Sequence, residues 1–272
     1  MSEKVSAILI TRNNAHEIER CLESIRWADE IVVIDTFSTD GTVEICQRYG
    51  ARVYQQPFRN FHTQVNDCLN YTTNDWTLNV FADETVSPAL REEILALMAR
   101  GPRCDGYEMP RRTWFHGRWV RWGGYYPCWH LRLWRKSKGR YRAREPHLKV
   151  KVEGRVGRLR GAIDHWCWQQ PGEFLDNFVE YLRIEARWRH EVERKHVCLY
   201  HFLGPCWVFF RRFVLRLGFL DGTLGLIMAG RPACERFFRV ALQWEMQNVA
   251  RLRGPKEMSL AEGDAEARSM EG

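Results

Sequence analysis

Two apolar runs in the first hundred residues end on acids. Leu78-Asn79-Val80-Phe81-Ala82-Asp83-Glu84 closes on adjacent carboxylates, and Val32-Val33-Ile34-Asp35 leads into the turn-forming Ser38-Thr39-Asp40-Gly41-Thr42. In an open α/β sheet, ligands bind outside the carboxyl ends of the strands. Carboxylates delivered to that edge by two strands suit a nucleotide and a hard divalent cation, Mg²⁺ or Mn²⁺, which neutralises phosphate charge. Alternatively, Asp83 and Glu84 only begin the next helix, since acids favour helix N-termini. On these residues alone the two readings stand level.

The elements that would hold these acids follow from periodicity. Val5–Thr11, Glu30–Asp35, Arg52–Gln55 and Asp75–Phe81 read as strands. Between them lie helices: one with Ile18, Cys21, Leu22 and Ile25 on one face, then Val43–Tyr49, closed by Gly50, then Phe61–Tyr71. Ser87–Arg100 follows, with Pro88 in its first turn. Regular alternation of this kind predicts an α/β fold with a mostly parallel sheet. After Gly101-Pro102 the pattern changes to short runs rich in Trp, Tyr and Arg: Tyr107–Arg111, Trp129–Trp134, Leu148–Val152 and Ala162–Trp166, several of them expected to be antiparallel. From Pro171 the chain reads helical. Phe174, Phe178, Tyr181 and Leu182 share one face, and Trp207–Leu217 and Pro232–Leu252 are further helices.

Charge is divided unevenly. Residues 1–99 hold 8 Lys and Arg against 15 Asp and Glu, residues 100–253 hold 31 against 14, and the tail 254–272 holds 2 against 5. The balances are −7, +17 and −3. The basic part is suited to an anionic partner. Twelve Trp, many among the Arg, favour a membrane interface or a sugar-binding surface over a solvated charge face. Cys206-Trp207-Val208-Phe209-Phe210-Arg211-Arg212-Phe213 is the densest mixture, suited to lying in the headgroup plane of the cytoplasmic leaflet; the alternative is that its aromatics pack against the rest of the chain. No run spans a bilayer, because Arg211, Arg212, Arg216 and Asp221 break Tyr200–Ala229. Nine Cys without CxxC spacing read as reduced thiols, and Val5–Thr11 reads as a strand, not a secretory signal.

The ordered phrases Ile8-Leu9-Ile10-Thr11-Arg12-Asn13, Cys21 through Asp35, Ser38-Thr39-Asp40-Gly41-Thr42 and Ala82-Asp83-Glu84 resemble family 2 glycosyltransferases of the GT-A fold. Phe115-His116-Gly117-Arg118-Trp119, Gly123-Gly124-Tyr125-Tyr126-Pro127, Leu131-Arg132-Leu133-Trp134-Arg135, Pro146-His147 and Leu215–Gly222 narrow the resemblance to the lipopolysaccharide-core branch. It covers roughly residues 4–250.

The resemblance implies inverting transfer of a sugar from a nucleotide-diphosphate donor to a lipopolysaccharide-core or other envelope glycolipid, with Mg²⁺ or Mn²⁺, at the inner face of the cytoplasmic membrane. It implies a GT-A-like domain over 1–168, with 1–100 the nucleotide-binding half and 101–168 the acceptor half. The residues themselves, mixed Arg and aromatics and then a charged, small-residue tail, predict a helical, basic and aromatic membrane-associating extension over 169–254 and a disordered tail over 255–272. Carried over by residue, Thr11 contacts the nucleotide, Asp35 its base or ribose, and Asp83 the metal. Gln64 and Asn66 lie near the donor. Glu84 and His147 are the candidates for taking the acceptor's proton.

Five polar positions of the family pattern are changed here, to Phe81, Asn14, Val65, Cys128 and Leu148. A glycosyltransferase-like partner or regulator without turnover is therefore the alternative. A basic nucleic-acid-binding protein ranks last, because no nucleic-acid module is recognisable.

Overall fold

The computed structural model describes residues 2–142, 149–167 and 199–252, with a few positions between 178 and 197. His147, Phe174, Tyr181 and the tail 255–272 lie outside the described residues. The chain divides into two compact units, Met1–Gln170 and Pro171–Gly272.

The first unit is built on one mixed sheet. Strands β1 (Val5–Thr11), β2 (Glu30–Asp35), β3 (Arg52–Gln55) and β4 (Trp76–Asn79) run parallel in the order β3-β2-β1-β4. Helices α1 (Ile18–Ile25), α2 (Thr42–Arg48) and α3 (Phe61–Tyr71) connect them. Beyond β4 the sheet continues through β8 (Cys128–Arg135), β6 (Gly106–Phe115), β12 (Ile163–Cys167) and β5 (Glu84–Val86). β8 is antiparallel to both β4 and β6; β12 is parallel to β6 and antiparallel to β5. Strands β7 (Arg118–Val120) and β11 (Val156–Arg158) also pair with β6, and β9 (Gly139–Tyr141) pairs with β10 (Val150–Val152) in a separate ribbon. This is the expected class: parallel strands with crossover helices, plus an antiparallel portion.

Alternation along β1 and β2 splits the core in two. Ala7, Leu9 and Val33 face Ile18, Leu22 and Ile25 of α1 and Leu90, Ile94 and Met98 of α4 (Pro88–Arg100). Ile8, Ile10, Val32 and Ile34 face Val65, Cys68 and Leu69 of α3. Each fully buried Ile or Leu contributes about 1.5–3 kcal/mol. Caps fix where the helices begin. Asn60 accepts the Thr63 N–H at 2.8 Å, and Ser87 accepts the Leu90 N–H at 3.3 Å with Pro88 next to it.

One boundary differs in a way that matters for the site. The fourth strand ends at Asn79, not Phe81, and the chain turns so that the Glu84 N–H donates to the Phe81 carbonyl at 2.9 Å. Glu84 then opens β5, so Asp83 and Glu84 do not start a helix; α4 begins at Pro88. Three residues are too few to show a strand period in the sequence.

In the second unit, a 3₁₀ turn (Leu199–Leu203) leads into α5 (Gly204–Phe210), which runs on as a π turn (Arg211–Leu215). A 3₁₀ turn (Gly218–Asp221) and the long α6 (Thr223–Leu252) follow. α6 starts nine residues earlier than the sequence suggests, with Pro232 inside it. A proline there forfeits one ladder bond, which tertiary packing can offset.

Candidate active site

Thr11 and Asp35 are register partners at the carboxyl ends of β1 and β2. The two loops that follow these strands are laced together. Asn13, held at φ 50°, donates its N–H to Ser38 Oγ at 2.8 Å and accepts the Thr39 N–H on Oδ1 at 2.9 Å. The Asn14 N–H reaches Thr42 Oγ1 at 2.9 Å, and the Ala15 N–H reaches Asp40 Oδ2 at 3.0 Å. Asp35 is fully buried. It accepts from the Ser38 N–H at 2.9 Å, from Ser38 Oγ and from Gln55 Nε2 at 3.2 Å, so it braces the β2–α2 turn. Thr11 Oγ1 donates to Asn14 Oδ1 at 2.9 Å. Gln64, also buried, donates Nε2 to Thr36 Oγ1 at 3.3 Å, which joins α3 to this end of the sheet. Thr11, Asp35 and Gln64 are thus brought together. The Asn66 amide accepts the Tyr141 N–H and donates to the Tyr141 carbonyl, both at 2.9 Å, clasping β9.

The second group lies past the end of β4, beside β1 on the same carboxyl edge. Glu84 is fully buried. Its Oε1 accepts from Arg132 Nη2 at 2.8 Å, with Arg111 Nη1 3.8 Å away, and its Oε2 accepts the Phe81 N–H at 3.1 Å. Arg132 reaches inward because the β6–β8 register slips beside it: Tyr107 faces Leu133, and Glu108 faces Leu131. Its guanidinium also donates to Asn79 Oδ1 at 3.1 Å and lies 4.5 Å from the Phe81 ring centre. Tyr141 donates its hydroxyl to the same Asn79 oxygen at 2.7 Å. Burial disfavours the charge on Arg132, but Glu84 and its neighbours outweigh this and push its pKa up. Phe81, standing where the family pattern has a carboxylate, is therefore a cation–π partner of Arg132.

Asp83 makes its own ion pair, with His165. Its side chain is 37% exposed, and its Oδ2 lies 2.8 Å from Nε2 of His165 on β12. The Trp166 N–H donates to the Asp83 carbonyl at 2.9 Å, and Cys167 Sγ lies 2.9 Å from His165 Nδ1. Burial alone would lower the His165 pKa; the Asp83 charge and hydrogen bond, with help from Cys167, push it up to about 10. Burial likewise raises Asp83, and His165 and Arg111 overcome that and hold it low. His130 shows the local field: burial first, then Arg132, Arg111 and His165, push its pKa down to about 3.

His165, Arg132, Arg111 and Asn79 were not singled out from the sequence. One signal was present: an Arg inside the apolar run Leu131–Trp134 must find a buried acid. His165 carries no comparable signal, since its partner is 82 residues away. Among the described residues, no three His, Cys, Asp or Glu side chains converge into a metal cage.

The family model for glycosyl transferase family 2 matches residues 6–166. The lipopolysaccharide core biosynthesis glycosyltransferase LpsC of Rhizobium meliloti (strain 1021) is 29% identical over 259 residues, covering 88% of this chain and 94% of that protein. An uncharacterized glycosyltransferase of Rickettsia bellii is 40% identical over 100 residues, so this chain spans 34% of that relative's length and 36% of its own. Among solved structures, S. aureus TarS 1-349 in complex with UDP-GlcNAc is 14% identical, covers 90% of this chain and 92% of that one, and gives a TM-score of 0.49. Glucosyl-3-phosphoglycerate synthase from Mycobacterium tuberculosis, solved with Mn²⁺ and UDP, is 22% identical over 40% of this chain and 44% of its own, with a TM-score of 0.36.

Proposed function

Because more than half of the chain matches its model, this protein belongs to glycosyl transferase family 2, and we propose that it moves a sugar, with inversion, from a nucleotide-diphosphate donor to a lipopolysaccharide-core or related envelope glycolipid. The observation that carries this reading is the Asp83–His165 pair. It is reachable from solvent and lies past the same sheet edge at which Thr11 and Asp35 end their strands.

Asp83 Oδ2 and His165 Nε2, 2.8 Å apart, are donor types that a divalent cation accepts once the imidazole is neutral. Asp83 and His165 would hold Mg²⁺ or Mn²⁺, which would supply neutralisation of the charge on the leaving nucleoside diphosphate. The β1–α1 and β2–α2 loops would seat the nucleoside, with Thr11 and Asp35 at the base of the seat. Arg111, whose side chain is partly exposed, adds positive charge where the diphosphate departs. Both Glu84 oxygens are already engaged. That favours a positioning role for Glu84, which holds the turn presenting Asp83, and leaves His147 to accept the acceptor's proton. A lipid-linked acceptor puts the reaction at the inner face of the cytoplasmic membrane.

Titration calorimetry with a panel of nucleoside diphosphates, with and without Mn²⁺, tests this. The expected result is binding that Mn²⁺ tightens and that Asp83→Asn frees from Mn²⁺ dependence. Binding of none of them by the folded protein would refute it. A second reading, a family member that no longer turns over, draws on Phe81, which gives the motif a ring in place of a carboxylate. Donor binding without hydrolysis or transfer would select that reading.

A further inference from the structure

We propose that the helical unit docks in the headgroup plane of an anionic lipid bilayer through exposed apolar residues on and around α5 and α6. Trp207 and Phe210 stand three residues apart on α5, Leu203 ends the 3₁₀ turn before it, and Val214 lies in the π turn after it. All four are exposed, Leu203 at 69% and Trp207 at 56%. Leu215, Phe219 and Leu220, just after these, are exposed as well.

α6 repeats the pattern. Its buried face carries Leu224, Met228, Ala229, Ala233 and Val240. A helix lying on a protein core should turn polar groups outward. Here the outward face carries Leu226, Ile227, Phe237, Phe238 and Trp244. Apolar surface this extensive marks an interaction site. The Phe202 and Phe237 rings lie 5.7 Å apart, which ties the segment before α5 to α6.

Charge selects the occupant. Residues 199–252 contain seven Arg and three Asp or Glu, a balance of +4. Arg211 and Arg212 lie between Phe210 and Val214, and Arg216 follows them. A second copy would set these Arg against their own counterparts, whereas anionic headgroups complement them while the aromatics enter the acyl boundary. No helix among the described residues is long and apolar enough to cross a membrane, so the exposed residues lie along the surface. The inference rests on the reading above only in identifying this bilayer as the one that carries the acceptor.

The test is co-sedimentation of the full chain with vesicles of phosphatidylglycerol and phosphatidylethanolamine, and with vesicles of phosphatidylcholine alone. The intact protein should pellet with the first and not with the second, and less so at high salt. The double substitution Trp207→Glu, Phe210→Glu should weaken partitioning by about tenfold or more, with helicity and nucleoside-diphosphate binding unchanged. Arg216→Gln, at an exposed position, should weaken it by a smaller, salt-sensitive factor. Three outcomes overturn the proposal: wild-type protein that ignores anionic vesicles, a double variant that binds them as well as wild type, or light scattering that shows a self-associated chain dispersed by the same substitutions. Vesicle binding without any nucleotide binding would instead refute the donor reading and leave this one standing.

Discussion

Replacing Arg132 by Met should be among the most damaging single substitutions in the sheet unit, and a second substitution should largely repair it. Glu84 is fully buried, and its closest cation is the Arg132 guanidinium at 2.8 Å. With Arg132 gone, Glu84 keeps, among the described residues, the Phe81 N–H at 3.1 Å and Arg111 at 3.8 Å. An uncompensated charge of this kind costs about 3–5 kcal/mol. Glu84→Gln in the Arg132→Met background removes that charge, and the pair should return to within about 1–2 kcal/mol of wild type, because apolar replacement of a whole buried ion pair is close to neutral. Glu84→Gln alone leaves the buried Arg132 unpaired in turn, so the two single losses together should exceed the loss in the pair by more than about 2 kcal/mol. Urea unfolding followed by Trp fluorescence gives the stabilities, and nucleoside-diphosphate calorimetry gives the functional consequence. Binding should fall in the single variant, where the Phe81–Glu84 turn loses its anchor and Asp83 shifts, and recover in the pair. If Arg132→Met costs less than about 1 kcal/mol, or if the two losses simply add, Glu84 is not held as a buried carboxylate and the reasoning fails.

The Asp83–His165 pair gives a pH signature. His165 is raised from 6.5 to about 10, so its contribution is complete below pH 6.5 and is lost as pH rises through about 10. Asp83 is lowered from 3.8, so its contribution is present above that value and is lost in acid. The deficit of His165→Gln relative to wild type should then be greatest between about pH 4 and 6.5. With Asp83 37% exposed, solvent screening reduces it to about 1 kcal/mol or less; a deficit that grows toward pH 10 contradicts the pairing. Asn66→Ala should cost about 1–3 kcal/mol by orphaning the Tyr141 backbone groups, with nucleotide affinity nearly unchanged; a large affinity loss would return Asn66 to the donor site. In the helical unit, Gly225→Ala would place a methyl on the Gly218 carbonyl. It should lower the stability of that unit by about 1–3 kcal/mol in thermal melts, and an unchanged melt would argue against this close approach.

The sequence by itself determined the scaffold. Continuous apolar runs such as Val5–Thr11 and Glu30–Asp35 have one stable use, as strands covered on both faces, and the stripe Ile18, Cys21, Leu22, Ile25 can only be one side of a helix. Those periods are local, so they are readable locally. Local order also showed that Asp35 and Asp83 follow apolar runs that end at one sheet edge. What each acid does there depended on partners far along the chain. Asp83 meets His165 because β12 passes β5, and Glu84 meets Arg132 because a register slip in β8 turns that side chain inward. Adjacent carboxylates, alike in sequence, were thereby separated into one solvent-reaching and one sealed. Only the tertiary structure could make that division, because burial and pairing across 48 and 82 residues, and not residue type, fix which charge stays available.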